Sequence, residues 1–403
     1  MALLATFLAA VPQDSSDRWE ALTRYVEEAI ARHAFPGAVV AVGRRDTILY
    51  LRAFGRLDYE NGPPVVAGTG APGHGDTGAE GAGTQRHSGT EERQTARSRT
   101  RPQTVYDLAS LTKVVGLNTA IMMLVEEGRV ALDSPVTRYL PEFAAGGDSV
   151  TVRDLLTHSS GLPAWKPFHL EARSREDLFS MVAAHPLEAP PRTRMVYSDL
   201  GAILLTGVVE RVSRERLDRF LRRRVFGPLG MRETRFNPPR SWRRRIAPTE
   251  VDTTWRRRLV WGEVHDENTA AMGGVSGHAG LFGTASDLVR FAQFMLRDGR
   301  LPEGRRLLRA ETIAEFTRVQ QPGFSSRALG WDTPSEGSSA GTRLSPRSYG
   351  HTGFTGTSLW IDAERNLFVI LLTNRVHPTR DNRQIYEVRP GVADLAVEAA
   401  TRP

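Results

Sequence analysis

Residues 107–113 read Asp-Leu-Ala-Ser-Leu-Thr-Lys (DLASLTK), and the reading of the whole chain turns on them. The protein carries 53 Lys plus Arg, yet only Lys113 and Lys166 are lysines. Ser110 stands just ahead of an apolar-periodic run from Leu111 to Glu127, closed by Gly128. That spacing predicts a helix with Ser110 at its N-cap. A capping box would put Glu or Gln three residues on, because the start of a helix favours negative charge. Lys113 occupies that place instead. Lysine, unlike arginine, loses its proton when desolvated near positive potential. At i and i+3 on one helical turn its amine reaches the serine hydroxyl. The pair reads as a nucleophile and its base: a neutral Lys113 takes the Ser110 proton, and the Ser110 N–H faces a developing oxyanion.

Composition narrows the field without naming a partner. The 403 residues are 40% hydrophobic and 25% charged, enough for two domains or one large domain with a subdomain. No apolar run approaches the ~18 residues of a membrane-spanning helix, so no stable membrane span is expected. Cys is absent, which excludes disulfides and thiolate chemistry. A net charge of +7 invites an anionic partner. The arginine clusters at 222–224, 243–245 and 256–258 come with no recognised nucleic-acid module, however, and read as solvated charge. Nucleic acid is not an expected partner. Residues 1–13 hold a short apolar core with Ala9 and Ala10 near a candidate cleavage point, but no basic start. A signal remnant and a plain tail both fit, so an exported or cell-envelope location and a cytoplasmic one both stay open. Nothing in the composition speaks to oligomeric state.

Outside the Ser110 helix, Trp19, Leu22, Tyr25, Val26 and Ile30 follow candidate caps at 14–16 with helical spacing, ended by Pro36-Gly37. Residues 38–55 (AVVAVGRRDTILYLRAFG) read as two strands about a polar turn at Arg44 to Asp46, and residues 357–373 (TSLWIDAERNLFVILLT) as a second hairpin about Ala363 to Asn366. A last helix is expected near Gly391 to Ala400. Helical patterns between the hairpins include Asp199 to Val212 and Ala285 to Leu296, the latter with Thr284 and Asp287 placed as a capping box. Residues 62–101 are rich in Gly, Ala, Thr and Arg with almost no large apolar side chain. They read as a disordered insert, with no catalytic role expected for His74 or His87. The expected organisation is an α/β (α+β) sheet domain from 14–150 plus 340–403, interrupted by that insert, and a mainly helical region at 151–339. One antiparallel sheet is then built from both chain ends and flanked by helices.

Ser-x-x-Lys is also the nucleophile signature of the penicillin-recognising serine hydrolases. The chain resembles their branch of class C β-lactamases, D-Ala-D-Ala carboxypeptidases and family VIII-type esterases. Tyr197-Ser198-Asp199 takes the place of that family's Tyr-x-Asn, and His351-Thr352-Gly353, opening the second hairpin region, that of its Lys-Thr-Gly. Residues 226–231 (FGPLGM), with Thr234 following, and the loop 158–162 (HSSGL) are similar to further family segments. The resemblance runs from about Trp19 to Ala400 without the insert. It implies a β-lactamase/transpeptidase-like fold, with Tyr197 sharing proton transfer with Lys113 and relaying it to the leaving group. The Phe354 N–H would be the second oxyanion donor. Asp199 departs from the family's Asn; its carboxylate would either hold the lysine protonated or bind a substrate amine or hydroxyl. His351 departs from the lysine that attracts a substrate carboxylate, and with an ordinary value near 6.5 it would be only partly charged at neutral pH. Thr352 and Gly353 complete that edge of the substrate site.

Two other stretches invite competing readings. His265, Asp266 and Glu267 could be taken for metal ligands, but they lack the i, i+4 spacing of a helical zinc motif, and no metal is expected. Residues 273–280 (GGVSGHAG) do not fit a dinucleotide loop. Similar V-H-D-x-N and G-H-A-G-L-F stretches occur in peptidoglycan-directed members of the branch, where His265 and His278 would line the cleft; equally, both would serve as loop caps. The resulting expectation is a serine hydrolase that forms an acyl-enzyme on an amide or ester carbonyl of a small-molecule or peptide substrate. Peptidoglycan-derived peptides are the expected substrate, β-lactam hydrolysis is weak, and no cofactor is implied. The alternatives are a carboxylesterase on small acyl esters and an idle binding protein on the same scaffold.

Overall fold

The computed structural model describes residues 17–59, 99–144 and 146–402. The tail at 1–13, the caps at 14–16 and most of the insert at 62–101, with His74 and His87, lie outside the described residues.

The apolar run 37–43 is buried throughout and has no polar face, the pattern of a strand covered on both sides. It is the second strand of a five-stranded antiparallel sheet. From edge to edge the order is Ile48–Gly55, Gly37–Gly43, Leu367–Thr373, Ser358–Asp362 and Ser348–Thr352. The two hairpins meet where Gly37–Gly43 pairs with Leu367–Thr373, Val40 opposite Leu371, so the chain ends close the sheet as expected. Alternate residues of the strand Gly37–Gly43 serve two cores. Val39 and Ala41 pack with the helical region, while Ala38, Val40 and Val42 pack with the first and last helices. Glu20–Ala31 and Ile385–Thr401 cover that second face together.

The last helix begins six residues earlier than the sequence suggests, because Pro390 lies inside it. A proline ordinarily marks a helix start. Here the lost N–H falls in the second turn, and burial of Ile385, Val388 and Arg389 holds the preceding turn in place.

The mainly helical region leaves the sheet domain after the Ser110 helix and returns at Ser348. Within it Thr284 caps Ala285–Leu296 as anticipated, but the box is only half made. The Asp287 carboxylate turns to the Glu233 N–H and the Thr234 hydroxyl, at 2.8 and 2.9 Å. Residues 226–231 form a short turn whose Leu229 and Met231 join the main core, away from the cleft. No helix among the described residues is long and apolar enough to cross a membrane.

Candidate active site

The Ser110 helix is not uniform. After Leu111 and Thr112 it widens into a π-helical segment, Lys113–Asn118, before the α-helix Thr119–Glu126. Such widenings recur at functional sites, where they re-aim side chains. The turn in front is equally particular. Ala109 adopts φ +46°, a left-handed conformation unusual for a residue with a Cβ. The Asp107 carboxylate holds it there by accepting the Ala109 N–H at 2.8 Å.

The i, i+3 spacing does what it promised: Lys113 Nζ donates to Ser110 Oγ at 3.0 Å. The ammonium also donates to the His278 carbonyl at 3.0 Å and forms an ion pair with Asp199 at 2.7 Å. Burial pulls the Lys113 amine down, but the Asp199 carboxylate and the Tyr197 hydroxyl more than offset it, and the net shift is upward. The lysine is therefore an ammonium in the resting site, which corrects the expectation of a neutral amine. Of the two roles open to Asp199, the geometry favours holding the lysine protonated.

Tyr197 lies over this cation, with Nζ 4.9 Å from the ring centroid. Burial raises its phenol, with Lys113 acting in the opposite sense, so it is neutral at rest. Its hydroxyl is buried without a hydrogen-bond partner among the described residues. The loop 158–162 explains its placement. His158 Nδ1 accepts the Ser198 N–H at 3.1 Å, and its ring lies 4.6 Å from that of Tyr197. Ser198 in turn caps the helix Asp199–Ser213, which delivers Asp199.

The opposite wall is the strand Ser348–Thr352 and the turn after it. His351 Nδ1 lies 2.7 Å from the Thr352 carbonyl, an arrangement that makes Nδ1 the donor and leaves Nε2 a buried acceptor without a partner among the described residues. Burial, then Arg327 and Lys113, push its pKa well below the usual range. His351 is thus neutral, not partly charged. Gly353 has no room for a side chain: a Cβ would lie 2.1 Å from Thr357 Oγ1 and 2.5 Å from the Leu108 carbonyl. That close approach lets the Thr355 and Thr357 hydroxyls donate to the Asp107 and Leu108 carbonyls at 2.7 and 3.1 Å. The turn carrying Phe354 is thereby fastened to the turn carrying Ser110.

His265 and His278 both reach the cleft, and both also organise loops. His265 Nε2 lies 3.0 Å from Glu250, and its ring stacks on Phe354 with centroids 5.6 Å apart. His278 Nε2 lies 2.7 Å from Asp266, which caps the helix Glu267–Ala271. Glu267 pairs with Arg380 at 2.6 Å. His265, Asp266 and Glu267 therefore point to three separate partners. Ser110, Tyr197, Asp199, His265, His278, His351, Thr352, Gly353 and Phe354 line one cleft of about 460 Å³, with Lys113 buried beneath it.

A model of the family described as beta-lactamase matches residues 22–392. The chain belongs to the β-lactamase family. A relative from Escherichia coli with the provisional name D-alanyl-D-alanine carboxypeptidase is 34% identical over 304 residues, 68% of this chain and 70% of its own. One of the same provisional name from Salmonella gallinarum is 34% identical over 312 residues, 70% and 72% of the two chains. Among solved structures, a penicillin-binding protein homologue from Caulobacter crescentus superposes with a TM-score of 0.69, covering 96% of this chain and 98% of that one at 20% identity. A hydrolase with promiscuous acyltransferase activity gives 0.67 over 94% and 100% at 21% identity. At those identities the structural likeness is one of fold. This β-lactamase-family member is a serine hydrolase.

Several residues of its cleft carry no local signal. Arg327, whose Nη1 is buried and without a hydrogen-bond partner among the described residues, is one arginine among many in the sequence. Arg375, Arg380 and Arg389 are equally anonymous there, and all three line the cleft. Sequence reasoning also misses Asp107; its Asx-turn bond to the Ala109 N–H shows only in the structure. Its second oxygen accepts the His265 N–H at 2.7 Å and ties a third loop to the nucleophile turn.

Proposed function

We propose that the protein is an acyl-enzyme-forming peptidase of the D-Ala-D-Ala carboxypeptidase or amidase type, with Ser110 as nucleophile. The observation that carries this reading is the contact of Ser110 Oγ with a buried lysine that is itself paired with a carboxylate. As Oγ attacks the carbonyl, its proton passes to Lys113 while Lys113 gives one to Asp199. Tyr197, replenished from Lys113 and Asp199, then protonates the leaving amine. The N–H groups of Ser110 and Phe354 hold the oxyanion, and water releases the acyl group. In this scheme Asp199 acts through Lys113.

The muropeptide assignment draws on the provisional names of the relatives and on the loop 264–268, which builds one cleft wall. A neutral His351 does not attract a leaving-group carboxylate; among the arginines lining the cleft, Arg327 offers a buried Nη1 without a hydrogen-bond partner among the described residues for that task. One observation favours a second reading, a carboxylesterase on small acyl esters. The rim is aromatic, with Trp165, Phe354 and Tyr386 all exposed, and its residue 351 is uncharged.

The test is the intact mass after exposure to a fluorophosphonate, followed by turnover of a D-Ala-D-Ala-terminated muropeptide and a short-chain nitrophenyl ester. A single adduct on Ser110, absent from Ser110→Ala and Lys113→Arg, with D-Ala released from the muropeptide, is expected. A folded protein that takes no adduct, or one that turns over only the ester, overturns the peptidase assignment.

A further inference from the structure

Two guanidinium groups lie buried directly behind the Phe354 turn. Arg389, on the last helix, is 5% exposed, and Arg375, just past the strand Leu367–Thr373, is 2% exposed. Among the described residues, every hydrogen bond that either makes ends on a backbone carbonyl. Arg389 Nη2 donates to Gly353 O at 2.5 Å and to Thr357 O at 3.0 Å. Arg375 Nε donates to Phe354 O at 2.7 Å, and its Nη1 to the Arg380 and Asn382 carbonyls. The Arg375 guanidinium also stands 4.3 Å above the Phe354 ring. Burial and the neighbouring Arg375 pull Arg389 down to about 9, which leaves it charged at neutral pH.

Among the described residues no carboxylate forms an ion pair with either guanidinium; a buried cation without an anion is costly, and a neutral amide could satisfy the same two carbonyls. The charge itself therefore needs a reason. The Gly353 carbonyl and the Phe354 N–H belong to one peptide group. A charge-assisted bond to the carbonyl withdraws electron density from that group and makes its N–H a stronger donor. The Gly356 N–H, also bonded to Gly353 O at 3.0 Å, acts in the same direction. On the other side of the peptide lies the position where negative charge develops during acyl transfer.

We infer that Arg389, with Arg375 beside it, is a positioning residue for acyl transfer: its buried charge polarises the Gly353–Phe354 peptide and so strengthens the Phe354 N–H as an oxyanion donor. The inference rests on the assignment of that N–H to the oxyanion hole. Removing a whole oxyanion donor costs about 10²–10³-fold in kcat, so weakening one predicts a loss of about tenfold.

The experiment uses the full chain and an uncharged aryl-acryloyl ester that acylates Ser110 and deacylates slowly. The acyl carbonyl stretch is read by isotope-edited infrared difference spectroscopy, and kcat and KM on the same ester are measured alongside. Arg389→Gln is expected to move the acyl carbonyl band to higher wavenumber and to lower kcat about tenfold, with KM within about twofold. Arg389→Lys, which keeps the charge, is expected to retain most of the band shift and rate. An Arg389→Gln acyl-enzyme with the wild-type band and kcat overturns the inference; an uncharged ester makes loss of a carboxylate contact irrelevant to that outcome. Should Arg389→Gln fail to fold, a folded Arg389→Lys that has lost both band shift and rate overturns it as well. If the wild type itself forms no Ser110 acyl-enzyme, the oxyanion-hole assignment falls, and the inference with it.

Discussion

Replacing Asp199 by Asn removes a single negative charge 2.7 Å from the Lys113 amine and leaves the shape of the site nearly unchanged. At an effective dielectric of about 20, that contact is worth about 6 kcal/mol of Coulomb attraction, and its loss lowers the amine's midpoint. Burial, which already opposes the ammonium, then governs. In the wild type the lysine stays charged through the neutral range and, in the proposed mechanism, relays the serine proton to Asp199. In Asp199→Asn, below the lowered midpoint, neither a carboxylate nor a free amine is available as base. Above it, the free amine takes over. The assay is kcat/KM for a nitrophenyl ester from about pH 5 to about pH 10. The variant is expected to lose about 10²–10⁴-fold at the acid end and to climb toward wild-type activity through a new ionisation, that of the lysine at its lowered midpoint. Stability follows the same linkage. The wild-type lysine, raised when folded, contributes stability that is complete below its ordinary value and lost only as pH rises through the folded one; the variant lacks that contribution. Superimposable pH–rate profiles for the two proteins would refute the account of Lys113.

Two further expectations address the opposite wall. His351→Lys places an ammonium where the neutral imidazole stands, and is expected to raise benzylpenicillin kcat/KM about tenfold, about 1.4 kcal/mol, without a matching gain on an uncharged ester; equal gains on both substrates would show that charge at this position is not what limits β-lactams. Gly353→Ala forces a methyl to within 2.1 Å of Thr357 Oγ1 and 2.5 Å of the Leu108 carbonyl, so thermal unfolding should reveal a loss of about 1–3 kcal/mol together with slowed acylation; a wild-type melting temperature would mean the two turns are not held as described.

The features legible in the sequence are those settled within a few residues. The Ser110–Lys113 contact belongs to one helical turn, and i, i+3 spacing puts the two side chains within reach of each other. The hairpins read at 38–55 and 357–373 follow from short apolar runs broken by polar turns, and their pairing into one sheet is expected from strand character at both chain ends with helices between. Where a local rule met a stronger distant demand, the rule lost. Pro390 sits inside a helix because its neighbours bury well, and Asp287 leaves its box to bond Glu233 and Thr234.

What tertiary structure alone decided is charge state. Whether Lys113 is an amine or an ammonium depends on Asp199, brought by another helix, and whether His351 is charged depends on burial and on Arg327 and Lys113. Arg389 is one of many arginines in the sequence and becomes distinctive only when the last helix places it against Gly353 O. A side chain's identity sets which protons it can hold. Desolvation and the charges around it, which act through space and not along the chain, decide which ones it does hold.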